Sequence, residues 1–142
     1  MNETDPMPRI CASLALFSMT VTPEQMTEML GASPTNSWHL GDRRSNRPND
    51  PRVEKDHGWR LSTGYINTIE AEVAIRRLLE LLEPIQSKIT QLTTSPEVMA
   101  ELAVYADVTD QQPSIHIASV MLQQIAKLNC DIDVDIIELS KD

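Results

Sequence analysis

The run from Glu70 to Leu92 constrains this chain more than any other. Ala71, Ile75, Leu78, Leu82, Ile85, Ile89 and Leu92 recur at spacings of four and three, and Ala74, Leu79 and Leu81 widen the stripe. That spacing marks an amphipathic helix whose apolar side docks on another layer. Pro84 interrupts it. Proline has no amide proton to give to the carbonyl of Glu80, and its ring crowds that turn. The pattern therefore predicts two helical halves with a kink or break near Glu83. A long one-sided helix needs an apolar surface to cover, so the rest of the chain has to supply a sheet.

Period-two segments supply it. Ile10, Ala12, Leu14 and Leu16 alternate with Cys11, Ser13, Ala15 and Phe17. Neither set is strongly polar, which predicts a central strand covered on both faces. Ser37 to Leu40 and Trp59 to Thr63 read as two short strands, with Trp38, Leu40, Trp59 and Leu61 on the face that meets the long helix. Ala100 to Ala106, Ile115 to Ile117 and Ile132 to Ile136 read as three more. Thr22-Pro23-Glu24-Gln25 opens a short helix with an N-cap, a proline at the first position and an acid in the first turn; Gly31 ends it. Val120, Leu122, Ile125, Ala126 and Leu128 form another helix.

The element order is β-α-β-β-α-β-β-α-β. It predicts an α+β fold: a single two-layer domain with a mostly antiparallel or mixed sheet of about six strands and helices packed on one face. The last six elements follow the βαββαβ, ferredoxin-like order. Residues 1–8 read as a flexible tail and 9–140 as the single domain, in which 43–56 is a long polar loop. A chain of 142 residues fits one domain and buries enough surface to need no staples. Aromatics are only 4% of it, so Leu, Ile, Val, Ala and Met must build the core.

The net charge of −9 argues against nucleic acid as a partner, since phosphates demand Lys and Arg. It suits a basic protein partner. Cys11 and Cys130 stand far apart in no C-x-x-C pair and read as two free thiols. The apolar run Ile10 to Met19 has an acidic flank and falls short of the roughly 20 residues that span a bilayer. The expectation is a cytoplasmic protein with no membrane contact, a monomer or homodimer.

The sequence yields no catalytic set, cofactor or metal site. Asp131, Asp133 and Asp135 resemble a calcium loop, but Ile136 stands where that loop needs glycine, and the interleaved Ile and Val mark a strand. Their simple reading is a solvated strand face that resists edge pairing; the functional one is an acidic patch for a basic partner. His39, His57 and His116 are scattered, with no H-E-x-x-H and no glycine-rich phosphate loop. An enzymatic reading would use Asp42 with His39 or His57 as acid and base. Ser37 to Gly64 holds both tryptophans and half the basic residues. There Gly41, Asp42, Arg43, Arg44, Arg47 and Arg60 are candidates for binding a partner or an anionic ligand, against the plain alternative of a mobile solvated loop. A 14-residue loop with one apolar residue is long for a hairpin connection and usually functional or disordered.

Ser37-Trp38 with Gly41-Asp42, then Gly58-Trp59 with Leu61-Ser62, then the Leu-rich helix with Leu82-Glu83-Pro84, resemble the bacterial domain of unknown function 4279 family. Thr22-Pro23-Glu24, Leu30-Gly31 and the closing strand Ile132 to Ile136 fit it as well, so the likeness runs over about residues 9–139. It implies a single α+β domain and brings no catalytic residue. Size, acidity and the missing catalytic set together point to a non-catalytic protein-binding module, an immunity- or antitoxin-like inhibitor of a bacterial toxin. The alternatives are a small anionic-ligand sensor and, behind it, a small hydrolytic enzyme.

Overall fold

The structure, a computed structural model, describes residues 7–138. Its elements are β1 (Arg9–Ser18), α1 (Pro23–Leu30), β2 (Asn36–Trp38), β3 (His57–Ile66), α2 (Ala71–Leu82), a 3-10 turn at Glu83–Ile85, α3 (Gln86–Thr94), β4 (Met99–Val108), α4 (Ser119–Ala126) and β5 (Cys130–Glu138). The break at Pro84 falls where the missing amide proton requires it, inside the 3-10 turn between α2 and α3. Thr22 caps α1 in a reciprocal box: Thr22 Oγ1 accepts from the Gln25 N–H, and Gln25 Oε1 accepts from the Thr22 N–H. Gly31 closes that helix in the left-handed region at φ 70°.

The strands form one mixed sheet in the order β2-β3-β1-β4-β5. β1 is central and antiparallel to both β3 and β4, while β5 runs parallel to β4 after the α4 crossover. The core lies on one face of the sheet. Ile10, Ala12, Leu14, Leu16, Trp59, Leu102 and Val104 meet Met26 and Leu30 of α1, Ile75 and Leu78 of α2, Ile89 of α3 and Met121 and Ile125 of α4. Four α-helices thus share one side. Thr90 and Thr93 tie α3 to the end of α4, their hydroxyls donating to the carbonyls of Lys127 and Leu128.

Five strands stand among the described residues, not six. The segment Ile115 to Ile117 makes no ladder, because its neighbours bond elsewhere: the Ser114 carbonyl accepts from the Ala71 N–H, and the Ser114 N–H donates to the Ile69 carbonyl. Glu70 gives α2 no side-chain cap, so Ser114 satisfies a donor that the helix start leaves open. Without that strand the ferredoxin-like βαββαβ order is not made. The second correction concerns Trp38. Ser37 pairs with Trp59 and Trp38 with Gly58, which puts Trp38 on the face opposite Trp59.

Candidate functional site

The face that no helix covers carries the less ordinary chemistry. Strand register lines its side chains up in rows across the sheet. One row runs Asn36, Arg60, Ala15, Glu101, Asp131; its neighbours run Trp38, Gly58, Phe17, Met99 and Ser62, Ser13, Ala103, Asp133. The floor is small, and it is buried although bare of helices: Ser13 is 1% exposed and Ala15 2%.

At one corner Trp38 lies over Gly58. A methyl group added at Gly58 would sit 1.9 Å from the Trp38 ring, so the close approach of ring to backbone requires glycine. Phe17 packs against the ring at 6.0 Å between centroids, and the Arg60 guanidinium stands 5.1 Å from its centre. Across Ala15 from Arg60 stands Glu101, next to the exposed Asp131, Asp133 and Asp135 of β5. Burial pushes the Glu101 carboxyl above its ordinary value. Asp133 and then Asp131 and Asp135 add to that, while Arg60 works against them. At the far corner Asp107, 5% exposed, accepts from Arg9 Nε at 3.0 Å, and Arg9 covers Tyr65.

A second cluster sits beyond the end of β2. The chain turns at His39 to Asp42, where the His39 N–H donates to Asp42 Oδ2 at 2.7 Å and Gly41 takes φ 93°. His39 Nε2 lies 2.6 Å from Glu24 Oε1 and its Nδ1 3.7 Å from Asp42 Oδ2. His57 Nδ1 accepts from the Leu40 N–H at 3.0 Å, which leaves the proton of the neutral ring on Nε2. The two imidazoles meet edge to face at 5.9 Å. Glu24 titrates below its ordinary value, first through a backbone hydrogen bond at the start of α1 and less through His39. The His39 and Asp42 side chains are 47% and 50% exposed. Among the described residues no group of His, Cys, Asp and Glu is arranged to hold a metal.

The candidate residues thus fall in four places. Gly41 and Asp42 join the histidine cluster, where Asp42, His39 and His57 do come together. Arg43, Arg44 and Arg47 belong to a small ordered hairpin closed by an Arg43–Val53 bridge. Arg43 donates to the Arg47 carbonyl, and Arg44 Nε stands 3.8 Å from Glu54. In the same hairpin Arg52 holds the Asp50 carboxyl well below the usual range. Arg60 lies opposite Asn36, at the other end of β2 from the Gly41–Asp42 turn, so those groups do not share a ligand site. Asp131, Asp133 and Asp135 line the open face of β5. Glu24 and Glu101 escape sequence reasoning, because only the packing of α1 and the β4–β5 register bring them in. Trp38 could have been placed from the parity of its pairing with Gly58.

The model of the family described as a domain of unknown function, DUF4279, matches residues 8–139. The chain belongs to that family. No curated protein and no solved structure matches it. The DUF4279 match covers nearly the whole chain, and its description assigns no activity. Among the described residues no helix is long and apolar enough to cross a membrane.

Proposed function

We propose that the chain is a non-catalytic protein-binding module, an immunity- or antitoxin-like inhibitor that meets a basic partner, such as a toxin, through the open face of its sheet. The observation that carries this reading is the alignment of Glu101, Asp131, Asp133 and Asp135 on adjacent strands of a face without helices. Like charges set directly opposite one another destabilise a sheet; burial first, and then these aspartates, raise the Glu101 titration. A cationic partner relieves the repulsion, and the field of the acids speeds encounter with such a partner. Trp38 and Arg60, on the same face toward the opposite edge of the sheet, are residue types that anchor interfaces. The step from basic partner to toxin rests on analogy with other small orphan bacterial domains.

Affinity purification from the native host at physiological salt tests the reading. A basic protein should co-purify with the wild type and be lost with the triple variant Asp131→Asn, Asp133→Asn, Asp135→Asn, while both melt alike. If no protein co-purifies reproducibly, the proposal fails.

The Glu24–His39–Asp42–His57 cluster favours a second reading, a small hydrolase using Asp42 with a histidine as acid and base. It stands behind the first because the groups lie on an exposed turn rather than in a cleft that excludes water. Hydrolysis of ester and phosphoester probes that H39N and H57N abolish would promote it; equal rates in all three proteins would remove it. The anionic-ligand reading loses its shared site, since Arg60 and the Gly41–Asp42 turn are apart. The cavity of about 400 Å³ between α2 and α4 is lined by Glu72, Glu80 and Glu83 among others, a poor match for an anion.

A further inference from the structure

The two edges of the sheet differ. β2 is an edge of three residues, continued at once by the His39–Asp42 turn. β5 is an edge of nine residues, Cys130–Glu138, and all but Cys130 and Val134 are exposed. Among the described residues nothing pairs with its outer side. A parallel strand directs about half its backbone N–H and C=O groups to each side, so the outer side presents a row of unused donors and acceptors.

Its two faces are chemically sorted from Cys130 to Ile136; beyond that Ile137, 50% exposed, stands on the open side and Glu138 on the helix side. On the helix side Ile132 and Ile136 remain 39% and 55% exposed, while Val134 between them packs against the core. On the open side stand Asp131, Asp133 and Asp135, backed by Glu101 on β4. This sorting rejects one occupant and selects another. A second copy joined edge to edge by an antiparallel twofold centred on Asp133 would set Asp131 against the copy's Asp135 and Asp133 against the copy's Asp133. Like charges directly opposite are destabilising. An extended segment with basic side chains on that face and apolar ones on the other meets opposite charge on one side and Ile132, Val134 and Ile136 on the other.

We propose that β5 accepts an extended segment of the basic partner as a sixth strand, its alternate side chains cationic toward the aspartates and apolar toward the isoleucines. This deepens the binding-module reading and rests on it. At about 3.3 Å per residue the edge spans roughly 30 Å and pairs with seven to nine residues of partner. Backbone pairing supplies general affinity, and the alternation supplies selectivity.

The probe is a nine-residue peptide alternating lysine and valine, measured by fluorescence anisotropy at about 0.15 M salt and by amide hydrogen exchange of β5. Binding should slow exchange of the outward β5 amides by about tenfold or more. The same peptide N-methylated along one edge keeps its charge but cannot complete the ladder, and should bind at least about tenfold more weakly. The triple Asp→Asn variant should lose about tenfold in affinity, as expected for three exposed ion pairs. Equal binding by the N-methylated peptide, or unprotected β5 amides, overturns strand addition. So does sedimentation of the free protein as a dimer with protected β5 amides, which would make a second copy the occupant. A native partner that depends on the aspartates yet leaves β5 amides at their free exchange rate overturns strand addition alone and leaves the broader reading intact.

Discussion

One sheet presents two faces, and β1 runs through both. Ile10, Ala12, Leu14 and Leu16 look toward four helices; Cys11, Ser13, Ala15 and Phe17 look the other way. Almost all are buried, but by different means. The first face is sealed by apolar side chains from another layer. The second is buried without such a layer, and Ser13 Oγ and Arg60 Nε there have no hydrogen-bond partner among the described residues. A buried polar atom left unpaired costs about 1–3 kcal/mol. The helix face therefore holds the fold together, while the open face carries electrostatic and polar strain that a stability-driven design would remove.

The two tryptophans test this division most sharply. Trp59 is fully buried on the helix face, with its indole N–H donating to Thr27 Oγ1 at 3.2 Å. Trp59→Ala should cost about 3–5 kcal/mol in urea unfolding, a large part of what a domain of this size possesses. Trp38 is half-buried on the open face, and Trp38→Ala should cost about 1–2 kcal/mol, since less of its surface leaves water. Equal losses would break the distinction between the faces.

Gly58 sharpens it at a single point. Gly58→Ala forces the added carbon into the Trp38 ring and should cost about 1–3 kcal/mol, as overpacking does. In a Trp38→Ala background the same change should be nearly free. That non-additivity, read from a double-mutant cycle of chemical melts, would show that Gly58 serves the open face alone. Additive losses would mean the glycine matters for the strand itself.

The helix face was the legible one. The stripe from Ala71 to Leu92, the Thr22 cap, the Gly31 stop and the Pro84 break are local rules, each satisfied within a few residues, and the structure obeys all of them. What failed was non-local. Ile115–Ile117 alternates like a strand, but Ser114 beside it spends its backbone groups on the start of α2, far away in sequence. The alternation of Ser37 to Leu40 points Trp38 at the helices, but its face depends on which residue of β3 it meets, and that residue is Gly58. The candidate site was legible in the same proportion. Asp131, Asp133 and Asp135 were readable as one face of a strand, whereas Glu101 joins them only through the parallel β4–β5 pairing, and Glu24 reaches His39 only because α1 packs beside the turn.

The smallest expected effect isolates the strain of the open face. Burial first, then Asp133, Asp131 and Asp135, raise the Glu101 titration above that of an unfolded chain. The native state therefore keeps this proton at a pH where the unfolded chain, titrating near 4.3, has released it. In that window the native state binds more protons, so stability falls as pH rises through it, and above the native value the full penalty stays. Glu101→Gln removes the ionisation and should stabilise the domain at pH 7. Solvent screens the outer side of the cluster, so the gain should stay below about 1 kcal/mol, or roughly 2–4 °C in Tm. Below about pH 4 both proteins carry a neutral side chain there, and the gain should vanish. Asp133→Asn should shrink the benefit of Glu101→Gln and Arg60→Ala should enlarge it, because they remove the charges that raise and lower the titration. A gain that is the same at pH 4 and pH 7 would place its origin in packing, and the open face would then carry no electrostatic strain for a partner to relieve.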